Sequence, residues 1–243
     1  MKLNRKPIIG IVSKHLLKDE TRPNMFIRDE IKQAVFDNGG IAIGVILPKN
    51  EKIDVEDKWE NNLNNIEYDN LISQINLCDG ILFQGGGNCD NYEMIIAKYC
   101  YDNNIPTLGI CCGQNVMVRA LGGTTKLIKN PEKHNTNDLY VHSVKVVNNT
   151  MFSKIIGKDV IKVNSRHKKI VDTHPNLIVN CICEDGYIDG LESPNRTFYM
   201  AFRFHPESLY KIDENHNKIF EEFIKICKGM STGTENFDTH NER

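Results

Sequence analysis

Apolar positions along this chain fall into short runs and helix-spaced sets that alternate. Pro7–Val12 is a short apolar run and predicts a buried strand. Ser13 to Asn24 is polar and reads as a loop. Phe26, Ile27, Ile31, Ala34 and Val35 recur at helical spacing, and Asn38-Gly39-Gly40 stops that helix. Ile41–Leu47 is a β-rich run closed by Pro48. Strand, helix, strand is the opening of a parallel α/β sheet. Residues 50–70 are charged and Asn-rich, a solvated excursion with room for a short helix, and its 61–65 stretch reads as loop. Leu71–Ile75 reads as helix, Asp79–Phe83 as a strand entering Gln84-Gly85-Gly86-Gly87, and Tyr92–Tyr101 as an amphipathic helix. Pro106–Ile110 is a strand entering Cys111-Cys112-Gly113, and Gln114–Leu121 a helix ending at Gly122-Gly123.

The second half changes character. Tyr140–Val146 alternates as a half-exposed strand does, and Val160–Val163, Leu177–Cys183 and Phe198–Phe204 are further strands. Asn215–Cys227 is a closing helix. No internal repeat and no interdomain linker interrupts the pattern. The expected organisation is one α/β domain over residues 1–228, with antiparallel strands added in its second half. A Ser/Thr/Asn/Gly-rich tail, 229–243, is expected to be disordered.

Composition narrows the partners. The 243 residues carry 30 Lys+Arg against 32 Asp+Glu, a net charge of −2, which argues against a general nucleic-acid binder. No apolar run approaches the roughly 20 residues a membrane helix needs, and the first apolar stretch is too short for a secretory leader. A cytoplasmic protein acting on small molecules is expected. The eight cysteines include no Cys-x-x-Cys pair and no Cys/His set at zinc spacing, so no metal and no other cofactor is expected. Cys181 and Cys183 alternate on one strand without partners nearby in sequence, and His142 reads as structural. In a reducing compartment these thiols are free, and most are packing.

Three segments carry chemistry. Gly109-Ile110-Cys111-Cys112-Gly113 places a nucleophile-type residue between glycines, after a strand and before a helix. This is the logic of a nucleophile elbow with Cys in place of Ser, and the helix N-terminus behind the sulfur favours thiolate. Phe202-Arg203-Phe204-His205-Pro206-Glu207 ends a strand with an imidazole and a carboxylate two positions apart, able to share one side in extended backbone. A Glu that engages one imidazole nitrogen turns the other toward the thiol, so Cys111, His205 and Glu207 form a candidate triad. In the Gly-rich turn, a backbone N–H at Gly86 joins that of Cys112 as a candidate oxyanion hole. No Gly-Lys-Ser/Thr follows, so the turn is not a phosphate loop.

These segments, in this order, resemble the class I glutamine amidotransferase superfamily, and more narrowly its gamma-glutamyl hydrolase branch, which includes the gamma-glutamyl-gamma-aminobutyrate hydrolases. The resemblance runs from Lys6 to about Lys228. It includes Asp79-Gly80, Val163-Asn164-Ser165-Arg166-His167, Glu184-Asp185-Gly186-Tyr187-Ile188 and Glu192. It implies a flavodoxin-like, mostly parallel sheet flanked by helices. It also implies cleavage of a gamma-glutamyl amide through a thioester on the Cys of a Cys-His-Glu triad, without metal. Gly85, Asn115, Ser165 and His167 are the implied substrate-binding positions.

The chain departs from the pattern at several points. Cys112 stands where Arg often follows the nucleophile, and Asn115 where Gln is common, with Gln114 one position early. Asn88 replaces a frequent Asp, Lys168-Lys169 replace His-Gln, and Arg203 replaces Gln. Arg203 and Lys168 are either readers of an acidic leaving amine or surface charges. Packing beneath the elbow is the default for the Cys112 side chain. Three readings stand open: a hydrolase releasing glutamate and an amine, a glutaminase subunit feeding a separate synthase partner, and a non-catalytic binding protein on the same fold. A homodimer is also left open.

Overall fold

The computed structural model describes residues 5–16, 24–47, 59–86 and 89–232. Gly87, Asn88, much of the charged excursion and the end of the tail lie outside these residues. In chain order, β1 is Ile8–Val12, β2 Lys14–Leu16, β3 Asn24–Phe26, α1 Asp29–Asp37, β4 Ile41–Val45, α2 Asn65–Asn76, β5 Gly80–Phe83, α3 Asn91–Asp102, β6 Thr107–Ile110 and α4 Cys112–Ala120. The second half supplies β7 Thr124–Leu127, β8 His142–Val146, α5 Met151–Ile156, β9 Val160–Val163, β10 Lys169–Thr173, β11 Ile178–Cys183, β12 Ile188–Glu192, β13 Tyr199–Phe202 and α6 Glu214–Thr232.

Nine of these strands form one sheet in the order β4-β1-β5-β6-β13-β12-β11-β8-β9. The first five are mutually parallel, and the next four are added antiparallel. The α/β class and the antiparallel addition are as the sequence predicts. β5, β6 and β13 are buried along their whole length, as parallel strands covered on both faces must be. Alternation sorts their side chains. Leu82 joins Ile31, Val35, Phe220 and Phe223 in one core under α1 and α6. Ile81 and Phe83 join Leu71, Ile75 and the α3 and α4 side chains in the core on the opposite face. Each such apolar side chain contributes roughly 1.5–3 kcal/mol on full burial. That exceeds the few tenths that separate Ile or Phe from better helix formers.

Elements that the pattern does not predict are short and polar. β2, in the stretch expected to be loop, pairs antiparallel with β3, Lys14 opposite Phe26, so Phe26 lies in a strand ahead of the helix its spacing suggests. The pairing is invisible in the hydrophobic pattern because its inward residue is a lysine. Residues 61–65 are not all loop: Asn64 caps α2, accepting from the Glu67 N–H while the Glu67 carboxylate accepts from the Asn64 N–H. α5 has only six residues, held by a Thr150 cap, by left-handed Gly157 and by Glu192, whose carboxylate accepts from the Met151 and Phe152 N–H groups. β7 and β10 form a separate ribbon against α4. α6 continues to Thr232.

Candidate active site

The elbow is built as its glycines require. β6 ends at Ile110, α4 begins at Cys112, and Cys111 between them sits at φ 53°, ψ −103°. Such a backbone costs a non-glycine residue about 1–3 kcal/mol and persists only where its surroundings enforce it. A Cβ on Gly109 would lie 2.4 Å from Met117 Sδ, and one on Gly113 2.5 Å from the Phe83 carbonyl oxygen. The Cys111 N–H donates to the Phe202 carbonyl at 2.8 Å, tying the elbow to the end of β13.

β13 leads into His205. The Asn164 side chain clamps its backbone, accepting from the His205 N–H at 2.7 Å and donating to its carbonyl at 2.9 Å. His205 Nδ1 lies 2.6 Å from Glu207 Oε1. Burial works to raise the Cys111 thiol, but the His205 charge and hydrogen bond, with Arg203, outweigh it and pull the thiol below its ordinary value. Burial opposes the imidazolium, yet Glu207 and Cys111 together push His205 up to about 10. Both shifts favour a thiolate beside an imidazolium. Gly85 packs against both groups: a Cβ there would lie 2.7 Å from His205 Cε1 and 3.2 Å from Cys111 Cβ.

Two cavities meet at the nucleophile. One, of about 350 Å³, is lined by Gly86, Cys112, Asn115, His167 and Arg203, among others. The second, of about 150 Å³, is lined by Arg28, Glu30, Gly86, Cys111, Arg166, His205 and Glu207. Four expected site residues thus border the larger cavity beside Cys111: Gly86, Cys112, Asn115 and His167. His167 is buried and held neutral, with its pKa lowered to about 2 by burial and by nearby Arg203. Ser165 does not border either cavity; it is fully buried and its hydroxyl donates to the His134 carbonyl at 2.8 Å. Gly85 packs against Cys111 and His205 rather than lining the cavity.

Arg203 is not a surface charge. It is 3% exposed, borders the larger cavity, and donates through Nη1 to the Cys111 carbonyl at 2.8 Å and to Asn115 Oδ1 at 2.7 Å, bracing the elbow. Lys168 is exposed on the cavity rim. Cys112 borders the same cavity. Its sulfur lies 3.3 Å from Lys14 Nζ and 3.3 Å from Cys89 Sγ, and Lys14 is ion-paired to Glu93 at 2.7 Å.

Sequence reading misses Asn164 as the His205 clamp, Lys14, and Gln84. The Gln84 side chain donates to the Val12 and Phe26 carbonyls and accepts from the Arg28 N–H, fixing the start of the Gly-rich turn. Only the Asn-Ser motif signals the first in advance. The fold also gathers His142, Cys183 and Asp189 so that their ligand-type atoms lie within 4.8 Å of one another, a set that linear spacing does not reveal. His142 and Asp189 hydrogen-bond each other at 2.7 Å.

A flanked parallel sheet that ends one strand in a cysteine elbow and its neighbour in His-Pro-Glu has the class I glutamine amidotransferase-like fold. Within that fold the chain belongs to the Peptidase C26 family, whose model matches residues 7–207. Curated relatives include the CTP synthase of Chlamydia trachomatis serovar L2, 26% identical over 209 residues, which span 71% of this chain and 38% of that protein. The CTP synthase of Borreliella afzelii is 33% identical over 186 residues, or 61% of this chain and 35% of that protein. The chain thus spans well under half the length of these synthases. Among solved structures, the glutaminase domain of Trypanosoma brucei CTPS with bound acivicin superposes with a TM-score of 0.63 at 16% identity, covering 94% of this chain and 95% of that one. A glutamine amidotransferase from Thermotoga maritima gives 0.56 at 16% identity, with 93% and 95% covered. These two likenesses are of fold. Among the described residues no helix is long and apolar enough to cross a membrane.

Proposed function

We propose that the protein is a cysteine hydrolase of gamma-glutamyl amides, with Cys111 as nucleophile, His205 as acid and base, and Glu207 orienting the imidazole. The observation that carries this reading is the 2.6 Å contact from Glu207 Oε1 to His205 Nδ1, with Cys111 and the same ring packed side by side against Gly85. With Nδ1 engaged by the carboxylate, Nε2 is the nitrogen left to exchange a proton at the sulfur.

The Cys111 thiolate attacks the side-chain carbonyl carbon, and the carbonyl π pair moves onto oxygen. Backbone N–H groups of Gly86 and Cys112 receive that oxyanion. The carbonyl re-forms as the C–N bond breaks, and the imidazolium gives its proton to the departing nitrogen. This leaves a gamma-glutamyl thioester and a free amine. Water then gives a proton to neutral His205 and attacks the thioester, the C–S bond breaks, and glutamate leaves. The two cavities meeting at Cys111 offer each half of an amide its own space.

A second reading, a glutaminase that hands ammonia to a synthase partner, is favoured by the match to about two fifths of the CTP synthases. Glutamate release from a panel of gamma-glutamyl amides, glutamine included, tests both. Release by the wild type and its loss in Cys111→Ala is the expected result. Release confined to glutamine and stimulated by a copurifying synthase selects the second reading. No release by folded protein from any amide overturns the first reading and moves the choice to a partner-dependent glutaminase or a non-catalytic binding protein.

A further inference from the structure

The cysteine that follows the nucleophile sits in a second constellation that the hydrolytic step does not use. Cys112 Sγ and Cys89 Sγ are 3.3 Å apart, and Lys14 Nζ lies 3.3 Å from Cys112 Sγ. Lys14 is almost fully buried and shares its charge between Cys112 and Glu93, whose carboxyl is raised to about 8 by its own burial. Cys89 begins the turn into α3, and Cys112 begins α4. Cys89, Cys111 and Cys112 all line the larger cavity.

The other structural thiols are unlike this pair. Burial pushes Cys78, Cys100, Cys181, Cys183 and Cys227 up, which makes them inert packing. The Cys89 hydrogen bond and the Lys14 charge pull Cys112 well below its ordinary value despite burial. The Cys89 thiol is raised by its hydrogen bond to Cys112 and by burial, and the Lys14 ammonium lies against Cys112 Sγ. One sulfur is thus poised as an attacking thiolate and its neighbour as the resolving thiol.

We propose that Cys112 and Cys89 are a reversible oxidation site, closed to a disulfide by peroxide, that switches the neighbouring Cys111 centre off. The Cys112 thiolate attacks one peroxide oxygen: the S–O bond forms, the O–O bond breaks, and the displaced oxygen leaves as water after taking a proton. The Cys89 sulfur then attacks the sulfenic sulfur as its thiol proton is lost. The S–S bond forms, the S–O bond breaks, and the second oxygen leaves as water. Two thiols are oxidised and one peroxide is reduced to two waters. Closing the gap from 3.3 Å to the roughly 2.05 Å of a disulfide draws the first residue of α4 toward the turn before α3. It also withdraws the anion that faces Lys14, one residue from the nucleophile. The switching half of the proposal rests on the hydrolase reading; the oxidation half does not.

The full chain is treated with a small excess of hydrogen peroxide, its remaining thiols are alkylated in acid, and it is digested without reduction. The expected product joins the Cys89 peptide to the Cys111-Cys112 peptide. It persists in Cys111→Ala, is absent in Cys89→Ser and forms more slowly in Lys14→Met. In the wild type, glutamate release falls as the linked peptide appears and returns with dithiothreitol. Cys89→Ser is close in size and keeps the test valid should Lys14→Met not fold. A link that disappears in Cys111→Ala, or irreversible oxidation of Cys111 with no link, overturns the site. A link with unchanged turnover overturns the switch. Failure of the hydrolase reading shows differently, as no turnover in the reduced protein while the link still forms.

Discussion

At the scale of single residues, the site works by holding two charges where burial alone would remove them. Cys111 and His205 are each nearly buried, so each would favour its neutral form in isolation. Side by side, each favours the charged form of the other, and Glu207 adds to the positive partner. This fixes the pH dependence. The active pair needs Cys111 deprotonated and His205 protonated. The acid limb of kcat/KM therefore lies below the ordinary thiol value, and the alkaline limb lies near the His205 value of about 10. Glu207→Gln removes the carboxylate that holds the imidazolium. We expect the alkaline limb to move to lower pH and kcat/KM to fall by about 10²-fold or more. A pH–rate profile of both proteins checks this, and an unmoved alkaline limb would remove Glu207 from the triad.

At the scale of elements, the strand-to-helix elbow is the part on which positioning depends. Gly113 faces the Phe83 backbone at a distance where no Cβ fits, so Gly113→Ala must push α4 away from β5. We expect a destabilisation of about 1–3 kcal/mol in thermal or denaturant unfolding, and loss of glutamate release beyond what that destabilisation explains. Gly122→Ala is the comparison. It has φ +84° with nothing within 4 Å, so it carries backbone strain at the far end of the same helix and is expected to leave turnover intact. Equal activity losses in the two variants would mean that the elbow is not special. The elbow was legible in sequence because its demands are local: two glycines, an apolar strand and a helix. β5, β6 and β13 were legible because full burial leaves a continuous apolar run. β2 and β10 were not, since each carries lysine at a pairing position and draws its stability from distant partners such as Glu93 or the β7 ribbon. The roles of Ser165 and Arg203 were hidden for the same reason. A buried polar side chain is defined by the group it meets, and His134 and Cys111 lie 31 and 92 positions away.

At the scale of the whole molecule, charge is nearly balanced, yet it is not evenly placed. The net charge is −2, while among the described residues the larger cavity is bordered by Arg119, Arg166, Lys168, Lys169 and Arg203 and by no acidic one. Such a cavity focuses a positive potential that the total charge conceals. Arg203 is committed to the elbow, and Arg166 donates to Ser208, so the rim lysines are the cations most available to an incoming group. A leaving amine that carries a carboxylate is therefore expected to bind more tightly than a neutral one, and the advantage is expected to depend on salt. The Debye length falls from about 10 Å at 0.1 M to about 3 Å at 1 M. KM for the acidic substrate should accordingly rise across that range while KM for glutamine changes little. Lys168→Ala combined with Lys169→Ala should remove most of the difference, leaving kcat within a few-fold because neither lysine touches the catalytic pair. Identical salt dependence for acidic and neutral leaving amines would show that the cavity's charge serves the fold of the ribbon and the elbow, and that selection among amides rests on shape.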